Sequence, residues 1–194
     1  YSLSNVIIQS ALNNFGTDTV AAWSVYGKLD AVFWMISGAI GISITTFVGQ
    51  NYGARKYDRV KKSVRVCLGI DTLISGVLVI FFLVLRAPLF KIFTNDADVI
   101  RIGCEMMALI TPCYMFFIFI EVLSGALRGI GDVLLPTLIT LGGVCLFRIL
   151  WLVGVLRIRP TVDAIILSYP ITWLTTSILF ILYYLYRKKR SLAG

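Results

Sequence analysis

The chain contains no histidine, and Asp, Glu, Lys and Arg together make up only 14% of its 194 residues. A soluble domain of this length carries about 25%. Without histidine the usual general base and the usual switch near neutral pH are missing, and a zinc site loses its commonest nitrogen ligand. The cysteines (Cys67, Cys104, Cys113 and Cys145) include no CxxC pair. All four fall in or beside apolar runs, where cysteine reads as a small packing residue. With no nucleophile motif or metal-ligand cluster, an enzyme is the least favoured class. Proton coupling, if the protein uses it, has to run through carboxylates. The net charge of +8 does not indicate nucleic-acid binding, because most basic residues sit in short segments between apolar runs, where they orient membrane proteins.

Apolar residues are abundant, at 58% of the chain. A bilayer core about 30 Å thick needs roughly 20 apolar residues of helix. Five runs meet that length, at 20–48, 64–85, 99–127, 134–156 and 164–186. A sixth, at 2–12, is apolar but about half a span long and follows a first residue, Tyr1, that is not Met. Backbone inside lipid must satisfy its own hydrogen bonds, so these runs are expected to be helices. The reading is an all-α polytopic transmembrane bundle, residues 1–194 forming a single lobe of a longer protein with its first helix truncated. The segment 51–62 (NYGARKYDRVKK) and the tail Arg187, Lys188, Lys189 and Arg190 are assigned to the cytoplasmic side. The span count between them agrees, and the turn at 128–132 falls on the same side. Segments 14–18, 86–98 and 157–163 face outward.

Boundary and packing signals fit this division. Thr94, Asn95 and Asp96 are N-cap candidates, and Pro136 lies near the start of the fourth full span. Pro112 and Pro170 lie inside spans and predict kinks. Ser37 and Gly41, four residues apart, give the small-residue spacing that lets membrane helices approach closely.

Polar groups inside the spans carry the chemistry, because a charge at the bilayer centre costs on the order of 3 kcal/mol or more. Lys28, Asp30 and Arg148 form an outer group, in which Asp30 with Arg148 is a candidate ion pair or gate and Asp30 is also a candidate ion-coupling acid. Lys28 and Asp30 are two residues apart and cannot share a helix face. Asp71 and Glu121 form an inner group with no positive charge in the membrane beside it, as ion coupling requires. Tyr114, Phe117, Glu121, Ser124 and Arg128 recur on one helix face, and aromatic rings with a carboxylate suit an amphipathic cation. Asn5, Gln9 and Asn13 draw a polar line along the first helix, which either lines a cavity or bonds to a neighbouring helix.

Several motifs, in order, resemble the multidrug and toxic compound extrusion (MATE) family. VGQNYGARKYDRVKKSVRV (48–66) resembles the loop after the second helix of that family's C-terminal lobe. FTNDADVIRIG (93–103) looks like the entry to the fourth helix of the lobe, SGALRGIGD (124–132) like the cytoplasmic turn after it, and LSYPITW (167–173) like part of the last helix. The resemblance spans the chain as helices seven, in part, to twelve of a twelve-helix protein. It implies two six-helix lobes rocking about a central cavity and exporting amphipathic organic cations across the cytoplasmic membrane, driven by H⁺ or Na⁺ and no other cofactor. The implied partners are the drug, membrane lipid and an N-terminal lobe of the same protein, with no nucleic acid. Many members carry an acid on the seventh helix, where this chain offers Asn5, Gln9 and Asn13. Several carry one on the tenth, where this chain has Glu121, with Phe117 one turn away. A flippase for lipid-linked glycan precursors and a non-transporting membrane module are the competing readings.

Overall fold

A computed structural model describes residues 2–158 and 160–191. The chain folds as a bundle of α1 (Ser2–Leu12), α2 (Thr17–Gly53), α3 (Tyr57–Lys91), α4 (Ala97–Gly129), α5 (Leu134–Ile158) and α6 (Val162–Lys189). Among the described residues, α2 to α6 are five helices long and apolar enough to cross a membrane. The expected spans thus appear, each extended at one or both ends, and the protein is a multi-pass integral membrane protein.

Local chemistry sets the boundaries. Asp96 caps α4, its carboxylate accepting from the backbone N–H of Asp98 at 2.9 Å and of Val99 at 3.3 Å. Thr161 caps α6 in the same way through Ala164 N–H at 3.3 Å. The α4–α5 turn needs a left-handed residue, and Gly131 supplies it at φ +87°. Pro112 and Pro170 lie at interruptions of their helices as expected, because proline has no N–H to donate. At Pro112, α4 tightens into a 3₁₀ turn over Thr111–Cys113. In α6 the break falls at Leu167, between the short segment Val162–Ile166 and the long one that starts at Ser168, three residues before Pro170. A further irregularity, a π-helical stretch at Leu141–Leu146 in α5, has no counterpart among the sequence expectations. Its Gly143 lies so close to Thr176 of α6 that a Cβ there would overlap that side chain.

The centre of the bundle is α4 and α6. Their apolar windows are 56% and 50% buried, against 17% for both α3 and α5, so the outer helices carry most of the exposed apolar surface. Helix α4 packs on α2, α3 and α6, and α6 packs also on α5. The α2–α4 crossing is close because glycine permits it. A Cβ on Gly125 would stand 2.9 Å from the Gly41 carbonyl oxygen, and one on Gly129 would stand 2.7 Å from that of Thr45. At one end of the bundle Asp132 of the α4–α5 turn pairs with Arg187 of α6 at 3.0 Å and accepts a hydrogen bond from the Tyr183 hydroxyl. The 128–132 turn and the start of the basic tail therefore lie together.

Candidate functional site

Helix α2 places Trp23, Tyr26, Asp30 and Trp34 at steps of three and four residues, so all four lie on one face. That face looks across to Tyr169 and Trp173 of α6, and a cavity of about 610 Å³ opens between them. Gln9 of α1 and Arg148 of α5 complete its polar lining, and Met35 stands exposed on its rim. The volume lies within the roughly 300–1,000 Å³ of small-molecule sites.

Asp30 is the cavity's carboxylate. Its Oδ1 accepts from the Tyr114 hydroxyl and, at 3.4 Å, from the Tyr26 hydroxyl, while its Oδ2 accepts from the Trp34 indole N–H. The two tyrosine oxygens lie 2.9 Å apart. Charge-assisted hydrogen bonds of this kind contribute about 1.5–3 kcal/mol each, so the carboxylate is fixed in position and not left as a mobile charge. Behind it, Tyr114 stacks on Phe33 with ring centroids 3.8 Å apart, and Phe117 meets Trp34 edge-on at 4.6 Å.

Arg148 is buried in the same wall. Its guanidinium donates to Thr172 Oγ1 at 3.1 Å and lies 3.9 Å over the ring of Tyr169. Tyr169 in turn stands 5.8 Å from Trp23 and 5.5 Å from Trp173. One cavity therefore carries an acid, a base and a continuous aromatic lining.

The structure sorts the remaining candidates. Asp30 and Lys28 diverge, as their spacing requires. Asp30 turns to the cavity, and Lys28 is exposed with its ammonium 5.3 Å over the ring of Phe93. Tyr114 and Phe117 are fully buried and back the cavity wall instead of lining it. Gln9 donates to Asn13 at 3.3 Å, and Asn13 is exposed. The side chain of Asn5 lies outside the described residues. The inner acids stand apart from the cavity. Asp71 is fully buried and accepts from Ser75 at 3.0 Å. The absence of positive charge near this group is corrected at Glu121, whose carboxylate lies 3.7 Å from the Arg128 guanidinium. Arg128 is seven residues on, two turns along the same face, and its long stem reaches back along the helix. Glu121 also projects onto Gly41 of α2, where any side chain would overlap its carboxylate.

Sequence reasoning missed Trp23, Tyr26, Trp34, Tyr169 and Trp173. The signal was present in the 23, 26, 30 and 34 periodicity and in the 169 and 173 pair. The partner face on α6 emerges only from the packing.

The chain is thus a multi-pass membrane lobe whose helices enclose an aromatic cavity built on a carboxylate. The family model described as MatE matches residues 1–153, and the chain belongs to that family. It is similar to the "Probable multidrug resistance protein YoeA" of Bacillus subtilis (strain 168), with 28% identity over 140 residues, 72% of this chain and 30% of that protein. To the "Multidrug and toxin extrusion protein 2" of Mus musculus it is 30% identical over 58% of this chain and 20% of that one. Its fold superposes with TM-score 0.90 at 14% identity on a multidrug resistance MATE family transporter of the MOP superfamily in an outward-facing conformation, covering 100% of this chain and 44% of that one. With the Vibrio cholerae MATE transporter VcmN in the bent form the TM-score is 0.84 at 16% identity, covering 99% and 43%. The chain thus spans less than half the length of these proteins and has the fold of one lobe.

Proposed function

We propose that this chain is the C-terminal lobe of an ion-coupled antiporter that exports amphipathic organic cations across the cytoplasmic membrane. The observation that carries the proposal is Asp30, a fixed carboxylate at the base of an aromatic-lined cavity of small-molecule size. Trp23, Trp34, Tyr169 and Trp173 supply ring faces for an apolar cation, and Asp30 supplies the opposite charge. Coupling requires the ion and the drug to bind the two lobe arrangements with different affinity. Asp30 serves this by holding either drug or coupling ion. Glu121, paired with Arg128 nearer the basic-loop end, is the second coupling acid, with H⁺ or Na⁺ as the ion. The basic loop, the 128–132 turn and the tail face the cytoplasm, in keeping with the excess of Lys and Arg there.

Arg148 in the same wall favours one other reading, a flippase for an anionic lipid-linked precursor. Transport separates the two. The protein expressed from its complete reading frame is reconstituted in proteoliposomes, and ethidium is followed under a pH gradient and then a Na⁺ gradient. Uptake driven by either gradient, abolished by Asp30→Asn and uncoupled by Glu121→Gln, supports the antiporter and names the ion. Full transport in both variants removes these acids from the mechanism. No ethidium transport by the wild type under either gradient favours the flippase.

A further inference from the structure

A second groove, of about 670 Å³, runs between α2 and α3 on the exposed side of the bundle. One wall is the α2 face of Ile40, Ile44 and Phe47, and the other is the α3 face of Val66 and Ile70. Phe47, Val66 and Ile70 are exposed in the lobe, so this apolar surface has no cover of its own. At the loop end the lining changes character, and Arg59 and Lys62 stand one turn apart on the face that continues into Val66 and Ile70. Among the described residues, no acidic side chain lines the groove. Asp58, next to Arg59 in sequence, pairs with Lys61 at 3.4 Å, and Asp71, next to Ile70, is buried in the bundle with a hydrogen bond from Ser75; none of these belongs to the lining.

Length and polarity match a single kind of ligand. From Arg59 to Ile70 the helix rises about 16 Å, close to half the thickness of a bilayer core. The cations stand at the loop end of α3, the level expected for lipid headgroups, and the apolar walls run from there along the helices. We propose that this groove is a binding site for an anionic glycerophospholipid, with the phosphate between Arg59 and Lys62 and one acyl chain between Phe47, Ile44 and Ile40 on one side and Val66 and Ile70 on the other. Basic pockets between transmembrane helices recognise anionic headgroups by charge. A zwitterionic lipid of equal chain length fills the apolar part equally well and gains less from the two cations. The site is separate from the Asp30 cavity and does not depend on the transport reading.

Native mass spectrometry of the protein from its complete reading frame tests the site, in mild detergent with phosphatidylglycerol and phosphatidylcholine of matched chains. Each basic contact is expected to favour the anionic lipid about fivefold, so the pair gives about 25-fold preference. Arg59→Gln/Lys62→Gln should bring the preference close to one, and Val66→Trp, which fills the groove from an exposed position, should lower retention of both lipids. An unchanged preference in the double variant would overturn the proposal, as would unchanged retention in Val66→Trp. Equal retention of the two lipids by the wild type would also overturn it. So would a wild type that retains neither, because the groove is then covered by another part of the protein.

Discussion

Replacing Asp30 with asparagine separates the charge of the cavity from its geometry. The Trp34 indole can only donate, so the amide oxygen of the introduced asparagine must take the Oδ2 position that Trp34 now faces. The amide NH₂ then occupies the Oδ1 position, opposite the Tyr114 hydroxyl. A tyrosine hydroxyl can accept as well as donate, and Tyr26 stands 2.9 Å away to receive the proton that Tyr114 turns aside. The hydrogen bonds to Trp34 and Tyr114 survive and the charge is lost. For a cation about 5 Å from the carboxylate at an effective dielectric near 20, the interaction is about 3 kcal/mol, and hydration of the open cavity lowers it to about 1.5–3 kcal/mol. The expected loss of affinity is about 10- to 100-fold, with a melting temperature close to wild type. Asp30→Leu is the contrast. It strands the Trp34 N–H and disrupts both tyrosine hydroxyls, at about 1–3 kcal/mol per buried group, and should lower the melting temperature markedly. Equilibrium binding of ethidium, followed by fluorescence on the purified complete protein, reads the first effect, and a thermal scan reads the second. Asp30→Asn binding within about twofold of wild type would refute the assignment of Asp30 as the cation's counter-charge. An Asp30→Asn variant as unstable as Asp30→Leu would refute the hydrogen-bond reasoning.

Two further predictions concern the frame around the cavity. Gly129→Leu places a side chain where α2 backbone already stands and should destabilise the lobe by about 1–3 kcal/mol or more through overpacking. A thermal scan that finds wild-type stability would show that α2 and α4 do not cross so closely. In a cysteine-free background, a single cysteine replacing Arg55 should react with a membrane-impermeant maleimide only from the cytoplasmic side, and one replacing Asp98 only from outside. The reverse pattern would invert the proposed topology.

The class of protein and the division into spans follow from composition and run length alone. Runs of about 20 or more apolar residues cannot be covered by a soluble core of this size, and lipid allows such runs only as helices. Helix breaks were legible at Pro112 and Pro170 because the missing N–H is a local property, and the opposed directions of Lys28 and Asp30 were legible because two residues turn a helix by about 200°. What stood in sequence without a reading was the Trp23, Tyr26, Asp30 and Trp34 stripe, whose meaning depends on which helix it faces. Helix packing supplies that answer. It brought Tyr169 and Trp173 across from α6, set Tyr114 and Phe117 behind the wall, and turned Arg128 back to Glu121. Periodicity fixes a face relative to its own helix axis. Which neighbour that face meets is set by backbone approach at positions such as Gly41, Gly125 and Gly129, where the absence of side chains on two helices lets them lock in one register.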